Sequence, residues 1–579
     1  MNSIPKSDLL EALTLCKGAF ISAAGFSLVI NILQLVPTIY MLQVFDRVVP
    51  TGNLDTLGLM TLVLMVLFIT QGVLEWVRSQ ILVRVSTRLE VLLNERLFKV
   101  AYKLALYSSG QRASTQPLDD LTGLRQFLTG SGLFAFFDAP WVPIYLAVMF
   151  LFHPWYGWVG VATAILLIVI AYIQEKATNT LLNDANNLAM AGRNLVNKNL
   201  RNAEVIDSMG MLPNIQDRWL GSMDKVLALQ AIASSRAGVI NAFSKLTRMS
   251  SQSLILAVGA YLVIGNEISS GLMMAGSILL GRALAPIDMV IGSWKSFISA
   301  RGQFKRLNDL LTQMPAGHQK MSLPDPQGAF KLELATVVPP GAKTPVIKDI
   351  TMSIVKGDVL GIIGPSGAGK STFARALLGI WPTSSGRIRL DGAEIYNMNR
   401  DELGPFLGYL PQDIELFEGT ISENIARFGV VVSEKVVEAA RMADVHELIL
   451  CLPDGYDTYI GANGINLSGG QRQRIGLARA LYGNPVVVVL DEPNSNLDEQ
   501  GELALARAIQ RLKAKQTTVI VITHRNNVLA NVDKLLVLKE GQLSVYGPRD
   551  QVLAHLQKAV QQSAQPVSNA TPPPPAASN

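Results

Sequence analysis

The sequence predicts a membrane α-helical domain of six transmembrane helices followed by a soluble α/β domain built on a phosphate-binding loop. Three observations carry that prediction. The chain of 579 residues is 49% hydrophobic and only 16% charged, against about a quarter charged in ordinary soluble domains. The imbalance belongs to one part of the chain: long apolar runs fill residues 1–310, while 328–555 has the make-up of a soluble domain. Within that second part a Gly-rich turn, GPSGAGKST, joins an apolar strand pattern to a helix pattern.

About 20 apolar residues cross a bilayer as a helix. On that measure the spans lie near Phe20–Leu42, Leu57–Val77, Leu133–Phe152 and Tyr156–Ile173, then within Gln252–Ile264 and over Leu272–Trp294. The fifth has the shortest apolar run, with room for an earlier start in the chain. Pro140, Pro143 and Pro286 are positions for kinks.

Loop charges orient the spans. Arg78, Arg84, Arg88, Arg96, Lys99, Lys103, Arg112 and Arg125 follow the second span, and Lys176, Arg193, Lys198 and Arg201 follow the fourth. The turns HPW and GNEISSG carry no Lys or Arg, and the turn after the first span has only Arg47. Positive charge stays inside, which puts both termini, both long connections and the α/β domain in the cytoplasm. Residues 78–125 and 174–245 are amphipathic and extend the spans as helices, with interruptions at 108–120 and 210–214.

The N-terminal stretch MNSIPKSDLLEALTLCKGAF reads as an uncleaved cytoplasmic start. Cys16 and Cys451 form no metal or disulfide pattern and are expected as plain thiols. A dispersed net charge of +5 argues against a nucleic-acid partner and fits an anionic lipid surface. Pro and Gly break the pattern after the last span. The expected organisation is therefore a transmembrane domain over 1–313, a linker over 314–327, the α/β domain over 328–555 and a Pro-rich disordered tail over 556–579.

The turn matches G-x-x-x-x-G-K-[ST] over Gly364, Pro365, Ser366, Gly367, Ala368, Gly369, Lys370, Ser371 and Thr372. Backbone N–H groups of such a loop wrap phosphates, Lys370 neutralises the β/γ charge and Ser371 offers a hydroxyl to Mg²⁺. VVVVLDEP (486–493) reads as a strand buried on both faces that delivers Asp491 and Glu492 to its end. Asp491 suits the Mg²⁺ shell and Glu492 the general base that polarises water. TTVIVITHR (517–525) brings His524 to the same sheet edge, within reach of a γ-phosphate, and Gln412 can offer its amide oxygen to Mg²⁺ or water. A second anion-facing helix start, LSGGQ (Leu467, Ser468, Gly469, Gly470, Gln471), stands about a hundred residues on from the first.

These elements, in this order, make the second domain resemble an ATP-binding cassette, and the whole chain resembles an ABC exporter half. The resemblance implies ATP and Mg²⁺ as cofactors. It also implies that LSGGQ faces the γ-phosphate held by a second cassette, that Asp498 of SNLD helps bridge the pair, and that the chain works as a homodimer. Two departures stand out: LELATVVPPGAKTPV has no aromatic where the family stacks adenine, and GANGIN replaces the Glu usual before LSGGQ.

Within the exporters, YMLQVFDRVVPTGNLDTL (40–57) and FDAPWVPIYLAVMFLFHPW (137–155) are similar to the inner-membrane ATPases of bacterial type I secretion, the branch exporting alkaline proteases, lipases and haemophores. That likeness implies a protein cargo with an uncleaved C-terminal signal, a periplasmic adaptor and an outer-membrane channel. With the first span starting near residue 20, an N-terminal peptidase domain is not expected. Asp138 and Arg282 stand in apolar surroundings, where a charge faces the bundle interior or water. They are expected to line the substrate path or to pair together, with Asp288 involved. Two other functions stay open from the sequence: export of a lipid, peptide or small molecule, and an ATP-gated channel or regulator.

Overall fold

A computed structural model describes residues 8–108, 114–200, 202–315, 324–461, 467–495 and 497–563. The chain divides into two compact units. One comprises Met1–Leu104 with Ala113–Pro315, the other Ala105–Arg112 with Ala316–Asn579.

Among the described residues of the first unit, six helical stretches are long and apolar enough to cross a membrane: Lys17–Thr51, Leu54–Tyr107, Gly132–Phe152, Pro154–Leu200, Leu212–Ile264 and Ser270–Gln313. The basic connections do continue the spans, as the unbroken helices Leu54–Tyr107 and Pro154–Leu200 show. The second interruption is broader than 210–214. The long helix ends at Leu200, a short one covers Ala203–Ser208, and the next begins at Leu212 after Gly210 at φ +62°. The third stretch is broken as its prolines require: a 3₁₀ turn at Ala139–Trp141 separates Ser131–Asp138 from Val142–Phe152. Pro286 sits inside a continuous helix.

A π-helical segment at Val44–Val48 interrupts the first stretch one turn before its end at Thr51. It presents Asp46, whose carboxylate accepts from Gly271 N at 2.7 Å and Ser269 Oγ at 2.5 Å and so caps the sixth helix. One apolar core joins Tyr145, Met149, Tyr156 and Leu167 to Ile255, Leu279 and Leu284; another joins Leu9 and Ala12 to Leu89, Leu93, Leu97 and Leu307.

Among its described residues the second unit has two larger sheets and a small two-stranded antiparallel pair. β1 (Phe330–Val337), β2 (Ile347–Ile354), β4 (Ser385–Leu390) and β5 (Ala393–Glu394) form an antiparallel sheet in the order β2-β1-β4-β5. The main sheet has the order β12-β11-β3-β10-β9-β6. Its strands are β3 (Val359–Ile363), β6 (Leu407–Leu410), β9 (Val487–Asp491), β10 (Thr518–Ile522), β11 (Lys534–Lys539) and β12 (Gln542–Pro548). All pairs are parallel except β11 with β12. β7 (Gly419–Thr420) pairs with β8 (Tyr459–Ile460).

Alternation along the strands builds two cores. Val488, Leu490, Val519 and Val521 enter one, packed by Ile475, Leu477 and Leu481 from one helix and Leu505, Ile509 and Leu512 from another. Val487, Val489, Ile520 and Ile522 enter the other with Phe373, Ala374 and Leu377. Every residue of β9 and β10 is buried, which explains their near-continuous β-branched runs.

The helix Arg549–Ser563 carries ordered chain past the expected domain end at 555. Its sequence contains no Gly or Pro, and Val552, Leu553 and Leu556 anchor it on the core. The expected tail from 556 is therefore helical over its first residues; the rest lies outside the described residues.

Candidate functional site: a phosphate loop at the sheet edge

In an open parallel sheet, ligands bind beyond the carboxyl ends of the strands, where neighbouring connections diverge. Register shows which residues arrive there together. Ile522 of β10 stands beside Ile362 of β3 and beside Asp491 of β9. The loop after β3, the Asp491-Glu492 pair and the segment Thr523-His524 therefore emerge along one edge. β6 lies on the far side of β9 and sends Gln412 to the same edge.

The loop Gly364–Gly369 leads straight into the helix Lys370–Leu377. Gly369 holds φ +96° and Gly367 φ +79°, conformations that L side chains avoid. Gly364 is required by contact: a Cβ there would lie 2.2 Å from the Leu538 carbonyl oxygen of β11. Lys370 is buried, and its Nζ donates to the carbonyls of Gly364 at 2.8 Å and Pro365 at 3.0 Å. The ammonium is thus folded under the loop, one step from any anion bound there.

Asp491 is 1% exposed. Ser371 Oγ donates to its Oδ1 at 3.2 Å, while Oδ2 is buried with no partner. Burial pushes the Asp491 carboxyl up, against the Ser371 hydrogen bond and the Arg375 charge; Glu492 pushes it further up and Lys370 opposes. Glu492 follows at φ +49°, a left-handed position for a non-Gly residue that costs on the order of 1 kcal/mol or more. This turns its carboxylate to Gln412, whose Nε2 donates to Glu492 Oε2 at 3.0 Å. His524 is exposed at the end of β10.

Ser468 is the N-cap of the helix Gly469–Leu481. Its Oγ accepts from Gln471 N at 3.2 Å, and Gln471 Oε1 accepts from Ser468 N at 2.8 Å, a complete capping box. Leu467 is buried, and Gln473 reaches back to the Pro493 carbonyl. Among the described residues, no hydrogen bond or ion pair joins Leu467–Gln471 to Gly364–Thr372. Asp498 caps the helix Glu499–Ala514 through Gly501 N at 2.8 Å and lies 3.5 Å from Arg474. Asn496 of SNLD and residues 462–466 of GANGIN fall outside the described residues.

Where the family's adenine aromatic is missing, Val346 N bonds the Val337 carbonyl at 3.0 Å and closes an aliphatic, Pro-containing loop. A Cβ on Gly369 would lie 3.1 Å from Val346 Cγ1, so this loop borders the phosphate turn.

Sequence reasoning missed Asn424. It is fully buried and clamps the loop after Gln412, donating to the carbonyls of Phe417 at 2.8 Å and Thr420 at 3.0 Å and accepting from Phe417 N at 2.9 Å. The capping box Thr420–Glu423 beside it was a visible signal. Arg427 was also missed. Its guanidinium donates to the carbonyls of Gly404, Arg479 and Ala480 at 2.9–3.0 Å, and burial lowers its pKa.

The expected pairing of Asp138 with Arg282 is corrected. Asp138 is bound by Arg78 at 3.0 Å, and Asp288 by Arg248 at 3.1 Å. Arg282 is half-buried in the sixth helix. Arg78 stands at the end of an apolar run, where the sequence showed it only as the first of several loop charges.

Comparison with known proteins agrees with this geometry. Residues 347–495 match the ABC transporter family model, and residues 20–284 match the model of the ABC transporter transmembrane region. The type I secretion system ATP-binding protein PrsD of Rhizobium meliloti (strain 1021) is 41% identical over 551 residues, 95% of each chain. The chain belongs to the ABC transporters, among their type I secretion ATP-binding proteins.

This ABC transporter is also 29% identical to the leukotoxin translocation ATP-binding protein LktB of Pasteurella haemolytica-like sp. (strain 5943B), over 92% of this chain and 76% of that one. A bacterial Atm1-family ABC exporter solved with ATP bound shares its fold. The TM-score is 0.81 at 22% identity, covering 96% of this chain and all of that one. The expected family and fold, an ABC exporter with about six apolar helices before its cassette, are borne out. The transporter binds and hydrolyses ATP.

Proposed function

We propose that this chain is the motor of a type I protein secretion system, using ATP to drive a protein cargo out of the cytoplasm. The observation that carries the reading is the convergence of Lys370, Ser371, Asp491, Gln412 and Glu492 on one sheet edge, in a chain 41% identical to a type I secretion ATP-binding protein.

The loop Gly364–Thr372 receives the phosphates, and Lys370 exchanges its two loop carbonyls for phosphate oxygens. Glu492, oriented by its left-handed backbone and by Gln412, takes a proton from the attacking water. His524 reaches the γ-phosphate from β10. The hard oxygen donors Ser371 Oγ and Asp491 Oδ2, the latter buried without a partner, fit Mg²⁺, with Gln412 as a further ligand. Bound there, Mg²⁺ would offset charge on the phosphate oxygens.

Ser468, Gly469, Gly470 and Gln471 serve the nucleotide of a second copy in a homodimer, with Asp498 at the shared seam. Two facts support this: the exposed Ser468 N-cap ahead of a half-buried first turn, and the lack, among the described residues, of any hydrogen bond or ion pair from Leu467–Gln471 to the phosphate loop of its own chain. The working parts are a transmembrane domain over 1–313, a linker over 314–327 and the cassette from 328.

The Lys- and Arg-rich connections support an inner-membrane protein with cytoplasmic termini and cassette. The cargo carries an uncleaved C-terminal signal and passes on to a periplasmic adaptor and an outer-membrane channel. Glu492→Gln tests the chemistry: ATP binding should persist while phosphate release and cargo export both fall by about 100-fold or more. Release at the wild-type rate would refute the assignment of the base.

A further inference from the structure

We infer that Arg78 and Asp138 are positioning residues for transport, forming a pivot that sets the angle of the second span. Both are 7% exposed. Arg78 Nη1 donates to Asp138 Oδ1 at 3.0 Å and to Ser27 Oγ at 2.8 Å, and the Phe134 ring lies 4.4 Å from its guanidinium. Asn31 Nδ2 donates to the same Asp138 oxygen at 2.9 Å. Tyr145 in turn donates to Asn31 Oδ1 and to the Asn31 carbonyl, each at 2.9 Å. Ser27 and Asn31 come from the first span, Arg78 from the second, and Asp138 and Tyr145 from the third.

Stability does not account for this cluster. Burying an ion pair costs desolvation, and apolar side chains of equal volume hold helices together as well or better. Arg78 Nε is moreover buried without a partner, and a partly satisfied buried network is a poor brace.

Its position along the helix gives it a use. In Leu54–Tyr107 the first buried residue is Arg78, followed by Leu82 and then by Val85, Leu89, Leu93 and Leu97, which pack in a core. Before Arg78 the apolar window of this helix has 0% of its residues buried, against 39% in the fourth span and 50% in the sixth. The helix is thus fully buried along one face on one side of Arg78, while on the other it keeps only a half-buried stripe through Leu57, Thr61, Leu64 and Leu67, with the Tyr40 and Thr61 hydroxyls 2.9 Å apart. The ion pair grips it where the fully buried face ends, and the lightly packed half is the lever that swings.

The inference rests on the transport reading above, so its test includes a measurement that needs no cargo. Spin labels at Val66 and Ile165, both exposed, are placed in full-length protein whose Cys16 and Cys451 are Ser, reconstituted in lipid nanodiscs. Their distance is read with and without a non-hydrolysable ATP analogue. The wild-type distribution should shift with nucleotide. Arg78→Gln and Asp138→Asn should lose that shift and export about tenfold less cargo per ATP hydrolysed, while ATPase turnover stays within about twofold. Exchanging the charges, Arg78→Asp with Asp138→Arg, should restore part of the shift.

Single variants with unchanged shift and coupling would overturn the pivot. So would variants that lose fold and ATPase together with no recovery in the exchange, since that marks a brace. A wild-type protein that swings with nucleotide yet moves no protein cargo would defeat the export reading and leave the pivot standing.

Discussion

Replacing Gly364 with Ala should disable the phosphate loop, whereas the same change at Gly367 should only weaken it. At Gly364 the new methyl would lie 2.2 Å from the Leu538 carbonyl oxygen, while ordinary contact begins at 3.4 Å. The neighbour is backbone of β11, held in the main sheet by its pairing with β12, so the loop has to yield, by about 1 Å. A displacement of that size at a reacting centre costs about 100-fold in rate. At Gly367 nothing lies within 4 Å. There the cost is the left-handed conformation alone, about 1–2 kcal/mol, which is about five- to thirtyfold if all of it appears in ATP affinity. Binding of a fluorescent ATP analogue and phosphate release, both on full-length protein, separate the two. Gly364→Ala with wild-type turnover, or Gly367→Ala as the more damaging change, would refute the steric argument.

Three further outcomes are expected. Burial holds the Asp491 pKa above its ordinary 3.8, so the folded chain binds that proton more tightly than the unfolded one. Stability from this group is therefore lost as pH rises from the ordinary value through the raised one. Asp491→Asn should raise the melting temperature of nucleotide-free protein at pH 7 while abolishing Mg²⁺-dependent hydrolysis, and a lower melting temperature would contradict this. Asn424→Ala leaves three part-buried backbone groups without their partner, at a cost of about 1–3 kcal/mol. Thermal unfolding should show it, with slower phosphate release as the loop after Gln412 loosens. Ser468→Ala removes a helix cap worth about 1 kcal/mol. If the helix start also serves a second copy's nucleotide, hydrolysis should drop by about tenfold or more, beyond what the stability loss explains; an ATPase that tracks stability alone would sink the shared site.

Six apolar stretches, the phosphate loop, the acidic strand end and the signature helix start were all legible in the amino-acid order. Each is written in consecutive residues, through hydrophobic periodicity, glycine placement and caps. The structure alone decided which of these side chains meet. Ser371 and Asp491 stand 120 residues apart, Gln412 and Glu492 80 apart, and Arg78 and Asp138 60 apart. Arg282 was the expected partner for Asp138 and Arg78 only a loop charge, because composition shows that a buried charge needs a counter-charge and not which one the helices bring near. The helix past residue 555 is not legible in the sequence for a related reason: its polar surface resembles a tail, and only the core that receives Val552 and Leu556 holds it in place. Local sequence sets what each segment can form, whereas strand order and helix packing set distance, and chemistry at this site is a matter of distance.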